Sequence, residues 1–519
     1  MSKSLFKSSA IVSAMTLPSR ILGFVRDMVV AVTFGASGMT DAFLVAFRIP
    51  NLLRRMFAEG AFAQAFVPVF TEYREHRDEA ELHDLANHVA GALTLALSLV
   101  TLIGILAAPL IILAFAPGFR DAPEQQALSA YMLRLTFPYL LFISLTALAS
   151  GILNSYGKFA VPALTPVFLN LALIAAALWL APLLDEPITA LAWGVLIAGL
   201  AQLAFQIPAL WKIGLIPRPA FRRSHEGVRR IVKLMLPALL GSSVAQINML
   251  LNTLLASFLM TGSISWLYFS DRFVELPLAL FGIAISTVIL PKLSAEHAAQ
   301  SGEAFNRTLD WGLRLGLLIA LPAMLGLMLL AGPILATLLQ YKNFSIFDSR
   351  MASISLAVYS VGLPGFALVK ILAPGFFARQ DTVTPVRIAM IAILTNIALY
   401  GVLFLPWFLL GGPAPHAALA LCTASAAWVN ASLLFRRLRR DGVYRPGREW
   451  RRLAPRLALA LLAMGLALYL LTPDLAVWQT WSIAKRVLML AALIGAGVVV
   501  YPATLFLTGF RLDQTLDVE

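Results

Sequence analysis

Residues 86–112 read ANHVAGALTLALSLVTLIGILAAPLII, a run without one Asp, Glu, Lys or Arg. At about 1.5 Å per residue, such a run is long enough to cross a hydrocarbon core of about 30 Å as a helix. Similar runs recur along the whole chain, and no stretch between them is long enough for a separate soluble domain. Composition agrees: 60% of residues are hydrophobic and 13% are charged, whereas a soluble domain carries about 25% charged residues. Together with a mean hydropathy of +0.82, this excludes a water-soluble protein. The expected fold class is an all-α polytopic membrane protein.

Spans are expected near 8–32, 40–66, 86–112, 130–153, 160–181, 187–211, 230–258, 266–294, 309–336, 350–376, 384–407, 414–436, 452–472 and 483–508, about fourteen in all. Lys3 and Lys7 precede the first apolar segment in the manner of a signal peptide. That segment is too long and contains Arg20 and Arg26, so it is read as a retained first span. The single cysteine, Cys422, lies in an apolar stretch, which rules out a disulfide framework and a Cys-based metal site.

The net charge of +13 comes mostly from short loops between spans, so it reports topology and not a nucleic-acid footprint. An even span count puts both termini on one side. With that side cytoplasmic, the inside loops and tails gather about 28 Lys and Arg against about 5 outside, as the positive-inside rule favours. The densest cluster holds Arg436, Arg437, Arg439, Arg440, Arg445, Arg448, Arg451, Arg452 and Arg456; a second holds Arg218, Arg222, Arg223, Arg229, Arg230 and Lys233. Topology accounts for both, and binding of anionic lipid headgroups is the alternative.

Two landmarks repeat at a spacing of about 220 residues. Thr165-Pro166-Val167 opens span five and Thr384-Pro385-Val386 opens span eleven; Phe66-Val67-Pro68-Val69-Phe70 ends span two and Ile289-Leu290-Pro291-Lys292-Leu293 ends span eight. Equivalent helices are six spans apart, so the two halves run parallel. The expectation is two pseudo-symmetric six-helix lobes, 1–225 and 226–445, with the substrate site between them and an accessory pair of spans with the tail over 446–519. The accessory pair could hold an acyl or prenyl chain or serve as plain support.

Ionisable side chains at membrane depth cost at least about 2.5–3.5 kcal/mol each at a helix centre, so they normally face a wet cavity. Here they concentrate in spans one (Arg20, Arg26, Asp27), two (Asp41, Arg48, Arg54, Arg55, Glu59) and eight (Asp271, Arg272, Glu275). At about 100° per residue, Asp41, Arg48, Arg55 and Glu59 fall within about 40° of one another, whereas Arg54 points away, with Pro50 interrupting the helix between them. Several arginines suit a diphosphate, because a guanidinium fork binds phosphate oxygens bidentately and keeps its charge. The carboxylates would hold the arginines apart in the empty state or couple to a cation. Interhelical salt bridges are the competing explanation. Gly23, Gly35, Pro277, Gly282, Pro364 and Gly365 lie in or beside these spans or span ten and permit bending.

No G-x-x-x-x-G-K-[ST], H-E-x-x-H or G-x-S-x-G string occurs. The expectation is therefore no cofactor, with any uphill step drawn from a sodium or proton gradient or from the membrane potential. Asp381, Thr382, Thr395 and Asn396 supply hard oxygen ligands of the kind sodium prefers; capping and interhelical hydrogen bonds explain them as well.

The strings Ser19-Arg20-Ile21-Leu22-Gly23-Phe24-Val25-Arg26-Asp27, Thr40-Asp41-Ala42-Phe43, Pro50-Asn51-Leu52-Leu53-Arg54-Arg55 and Phe57-Ala58-Glu59-Gly60-Ala61-Phe62 closely resemble the MurJ (MviN) family. The likeness continues through Ser270-Asp271-Arg272 and Ala373-Pro374-Gly375-Phe376-Phe377 and covers essentially the whole chain. The family comprises the lipid II flippases of peptidoglycan synthesis, within the multidrug/oligosaccharidyl-lipid/polysaccharide exporter superfamily. The resemblance implies a non-enzymatic transporter in the bacterial inner membrane, with both termini cytoplasmic. Its lipid II would move from the inner to the outer leaflet by alternating access. It assigns the functional charges to Arg20, Arg26, Asp41, Arg54 and Arg272, including Arg54, which the helical wheel turned off the main face. Partners are lipid II and membrane lipids; no nucleic acid is expected and no protein partner is readable.

Two rivals are weighed on chemistry. A cation-coupled drug exporter, or an exporter of another lipid-linked oligosaccharide, belongs to the same superfamily, but a cavity for organic cations should be rich in carboxylates and poor in arginine. A membrane-embedded glycosyltransferase would need an acidic catalytic residue beside a large external loop, and the external loops here are about fifteen residues at most.

Overall fold

The structure is a computed structural model that describes residues 3–56, 61–221 and 225–510. Among the described residues every regular element is helical. Ten helical stretches are long and apolar enough to cross a membrane, so the chain is a multi-pass membrane protein. At the other four expected places, spans one, two, seven and eight, stand Lys3–Phe34, the pair Gly38–Arg54 and Phe62–His76, Glu226–Ala256, and Ser263–Ala298. Span two is thus not one rod: its first helix gives way to a π turn at Arg55 and Met56, a few residues after Pro50, whose ring removes a backbone donor.

The chain divides into two compact units, Met1–Ser265 and Trp266–Glu519. The first contains α1 Lys3–Phe34, α2 Gly38–Arg54, α3 Phe62–His76, α4 Glu79–Leu106, α5 Ala108–Phe115, α6 Pro123–Thr136, α7 Tyr139–Ser155, α8 Ala160–Leu164, α9 Val167–Ala175, α10 Thr189–Lys212 and α11 Glu226–Ala256. Phe62, Phe66 and Phe70, spaced four apart on α3, form one stripe with successive ring centroids 5.2 and 5.1 Å apart. That stripe packs on Leu85 and Val89 of α4 and on Leu148 and Ile152 of α7. On the opposite side of α4, Leu95, Leu99, Leu102 and Leu106 are exposed. Their helical spacing makes a lipid-facing band rather than an unburied core. Helix α11 packs against α3, α4 and α5 within this unit.

The second unit begins in the first turn of α12, Ser263–Ala298. It continues through α13 Gly302–Leu329, α14 Ala331–Leu338, α15 Ile346–Ser360, α16 Leu363–Phe377, α17 Val383–Leu399, α18 Leu405–Leu409, α19 Pro415–Arg440, α20 Trp450–Leu471, α21 Leu475–Gln479 and α22 Ile483–Leu507. Its core joins Ile289 and Leu293 of α12 to Leu309 and Leu313 of α13, Ile371 and Phe376 of α16, and Leu434 and Leu438 of α19. The accessory helices α20 and α22 pack on each other, α20 against α13 and α22 against α14. Arg486, buried at the start of α22, donates to the carbonyls of Ala336, Gln479 and Trp481 at 2.7–3.1 Å.

The helix interruptions recur in pairs along the chain. Span three breaks at Ala107 (φ −85°, ψ 4°) and span nine at Leu330 (φ −95°, ψ 11°). Span four breaks at Phe137-Pro138 and span ten at Val361-Gly362. Span five ends in a π turn over Ala176–Leu180 and span eleven in one over Tyr400–Phe404. All three pairs keep the spacing of about 220 residues seen in the sequence landmarks. One landmark differs in detail: Pro166 separates α8 from α9, whereas Pro385 sits in the first turn of the uninterrupted α17.

Candidate functional site

In span one, Arg26 and Asp27 are buried side by side, with 8% and 6% of their surface exposed. Arg26 Nε and Nη2 donate to Asp27 Oδ1 at 2.9 and 2.6 Å, and Nη1 donates to Asn170 Oδ1 at 3.0 Å. Asn170, on α9, donates in turn from Nδ2 to the carbonyl of Ser19 at 2.8 Å. Gly23, one turn before Arg26, faces the Asn170 side chain. A charge taken out of water needs this kind of saturation. Arg20, nearly two turns earlier, is exposed.

In span two, Ser37 caps α2 by accepting from Thr40 N at 3.2 Å, which places Asp41 in the first turn. Asp41 is 3% exposed, and its Oδ1 accepts from the backbone N–H and the hydroxyl of Ser265 at 2.9 and 2.6 Å, while Oδ2 accepts from Gly262 N at 2.7 Å. These are donors at the start of α12 that its own ladder leaves unpaired, so the carboxylate caps a second helix. Two turns on, the half-buried Arg48 donates to Thr253 Oγ1 of α11. Asp41 thus reaches the start of α12 and Arg48 reaches α11. Arg54 donates from Nε and Nη2 to Asn51 Oδ1 of its own helix at 3.1 and 2.8 Å. Arg55 is half-buried at the π turn, and Glu59 lies outside the described residues.

In span eight, Arg272 donates to Glu275 Oε2 at 2.6 Å and lies over the Tyr268 ring, 4.8 Å from its centroid. Arg272 and Asp271 are half-buried and Glu275 is exposed. The guanidinium is thus held between a carboxylate that is exposed and an aromatic face.

The expected sodium ligands are not brought together. Asp381 and Thr382 precede α17 and Asn396 sits near its far end, about 20 Å away at 1.5 Å per residue. Asp381 accepts from Thr384 N at 2.9 Å, a bond that, with the Thr384 hydroxyl, holds its carboxyl below the usual range. Asn396 is buried and donates to Tyr400 Oη at 2.6 Å. A straight helix therefore separates a cap from a polar contact one turn apart within the same span.

Sequence reasoning missed Asn170, Thr253 and Ser265, the neutral partners of the charged residues. An asparagine in the apolar span five was the one signal on offer. It also missed Asp310, whose Oδ1 accepts from Tyr444 Oη and Trp450 Nε1, both at 2.6 Å, and whose Oδ2 pairs with Arg314 Nε at 3.1 Å. Within the densest arginine cluster, Arg436, Arg439 and Arg440 border a cavity of about 710 Å³ with Leu313, Leu372 and Phe435 in its walls.

The family described as lipid II flippase MurJ matches residues 30–491 of this chain. A relative named probable lipid II flippase MurJ, from Vibrio cholerae serotype O1, is 48% identical over 520 aligned positions, spanning 99% of this chain and 98% of its own. A solved structure described as lipid II flippase MurJ in an inward closed conformation superposes with a TM-score of 0.79 at 28% identity, covering 95% of this chain and 98% of that one. An inward-facing multidrug transporter of the MATE family shares the fold, with a TM-score of 0.66 at 15% identity over 82% of this chain and 95% of that one. The family match over most of the length, together with the relative at nearly half identity, shows that this chain belongs to the MurJ family.

Proposed function

We propose that this chain flips lipid II, the undecaprenyl-diphosphate-linked peptidoglycan precursor, from the cytoplasmic to the periplasmic leaflet by alternating access, using an arginine-rich central cavity. Family membership over residues 30–491 carries the reading. The arginines at membrane depth supply its chemistry. The relatives are named as flippases, which are transporters rather than enzymes, and the function is read in the same class.

In this reading Arg20, Arg26, Arg54 and Arg272 engage the diphosphate, whose oxygens match the guanidinium fork. Asp27 and Glu275 occupy Arg26 and Arg272 in the empty state, so cargo binding is an exchange of one anion for another rather than the burial of a naked charge. Asp41 acts by position: it holds the first turn of the helix that carries Asp271, Arg272 and Glu275. Arg48 and Arg55 complete the cationic lining. The two repeats, 1–225 and 226–445, alternate as lobes, and 446–519 supports them. No cofactor takes part. Energy comes from a sodium or proton gradient or from the membrane potential, worth about 2.3 kcal/mol per charge per 100 mV. The protein sits in the bacterial inner membrane with both termini cytoplasmic, and the arginine-bordered cavity beside Phe435 takes an anionic lipid headgroup.

The test is a leaflet-resolved assay in vesicles. Purified protein should move labelled lipid II between leaflets without forming a glycosidic bond, and Arg272→Ala and Arg26→Ala should abolish movement while the protein stays inserted. Normal movement by both variants would overturn the reading.

A further inference from the structure

We propose that Asp84, His88 and His225 form a binding site for one divalent transition-metal ion of the zinc class, clamping α4 to the start of α11. This site stands apart from every charge assigned to the cargo. Asp84 and His88 are one turn apart on α4, and His225 is the residue that caps α11. One ligand atom from each residue lies within 4.8 Å of the other two. Ligands at about 2.0–2.2 Å around a tetrahedral ion sit about 3.4 Å apart, so closing the site needs only small side-chain rotations.

The two histidines already converge on the carboxylate. His88 Nδ1 is 3.2 Å from Asp84 Oδ1, and His225 Nε2 is 3.3 Å from Oδ2, with the imidazole rings stacked 4.9 Å apart. His88 Nδ1 also lies 2.8 Å from the Asp84 carbonyl; when the ion takes Nδ1, the proton there passes to Nε2 and this local bond is exchanged for the metal bond. Two imidazole nitrogens and one carboxylate suit Zn²⁺, Co²⁺ or Ni²⁺ better than Ca²⁺ or Mg²⁺, which prefer all-oxygen sets. Asp84 is exposed, which gives an ion entry from solvent and leaves the fourth position for water.

The third ligand is brought there by the backbone rather than by chance. Asn87 Oδ1 accepts from Arg218 N at 2.6 Å and its carbonyl accepts from Ala220 N at 3.0 Å. Gly91 lies so close to the Ala220 carbonyl that any Cβ would overlap it. On the far side, Arg230 of α11 pairs with Glu72 of α3 at 2.8 Å. Arg218 and Ala220 before His225 and Arg230 after it are therefore tied to α4 and α3, the kind of preorganisation a metal site requires. His225 Nδ1 accepts from Gly227 N at 3.1 Å. When the ion takes Nε2, the proton there passes to Nδ1, and the cap bond to Gly227 is exchanged for the metal bond.

The experiment uses the full chain in detergent, carrying an affinity tag other than polyhistidine, stripped with EDTA and then offered Zn²⁺ alone. About one ion per chain should be retained, with a rise in the thermal unfolding midpoint that EDTA reverses. His225→Asn keeps an oxygen able to cap α11 while removing the imidazole, so it should fold yet bind Zn²⁺ at least about tenfold more weakly; Asp84→Asn should do the same. Stripped wild-type protein that takes up no Zn²⁺ at tens of micromolar, or both variants binding as tightly as wild type, would overturn the site.

Discussion

Asp41 shows how a charge at membrane depth can be held by the chain's own backbone. Its carboxylate accepts three hydrogen bonds from Gly262 and Ser265, and only an acceptor with two oxygens fits two backbone donors and a hydroxyl at once. Asp41→Asn keeps the size but turns an NH₂ toward one of those donors. It should therefore destabilise the protein by about 1–3 kcal/mol, read as a lower thermal midpoint in detergent. Arg54→Lys, which keeps the charge of a residue that donates to Asn51 of its own helix, should shift the midpoint far less. Equal midpoints for the two variants would remove the positioning role given to Asp41. At this scale the sequence revealed which residues were charged but not what they touch. Arg26, Asp41 and Arg48 find neutral partners more than a hundred residues away in Asn170, Ser265 and Thr253, and neither helical spacing nor charge pairing encodes such contacts.

Helix by helix, apolar length located the spans to within about ten residues, because crossing a hydrocarbon core sets the length of a span. The interruptions were less legible. Pro50 marked the bend in span two, whereas Pro109 and Pro333, just after the breaks at Ala107 and Leu330, and Pro182 and Pro406, just beyond the π turns, stood in the sequence without being read as interruptions. Their prolines recur at matched positions, with the spacing of the sequence landmarks. Glycines follow the same logic, their worth depending on what faces them. Gly91 abuts a backbone carbonyl that cannot rotate away, whereas Gly495 in α22 has no neighbour within 4 Å. Gly91→Ala should push the segment before α11 off α4 and lower stability. Gly495→Ala should be neutral or raise it by up to about 1 kcal/mol, the ordinary gain of replacing glycine inside a helix. Thermal melts of the two variants side by side test this, and similar losses in both would contradict the contact at Ala220.

For the molecule as a whole, the family and the all-α class were legible because long polar strings inside apolar spans are rare. Orientation rests on a different quantity, the unequal division of arginine and lysine between alternate loops, and it can be tested without reference to cargo. Cys422 is the single cysteine and is fully buried on α19, so Cys422→Ala provides a cysteine-free background in which a new thiol reports one loop. With both termini cytoplasmic, Glu186→Cys and Gly412→Cys lie in outward loops, while Ser301→Cys and Gly447→Cys lie in inward ones. A membrane-impermeant maleimide applied to intact spheroplasts should label the first pair, and the second pair only after permeabilisation. The choice of positions also tests the duplication. Glu186 and Gly412 follow the π turns of spans five and eleven, so they occupy corresponding sites in the two halves. Parallel repeats require both to face the same side of the membrane, since six spans return the chain to the side it left. Labelling of one but not the other would show that the halves are inverted or the span count odd. The shared orientation on which alternating access by two like lobes depends would then be lost.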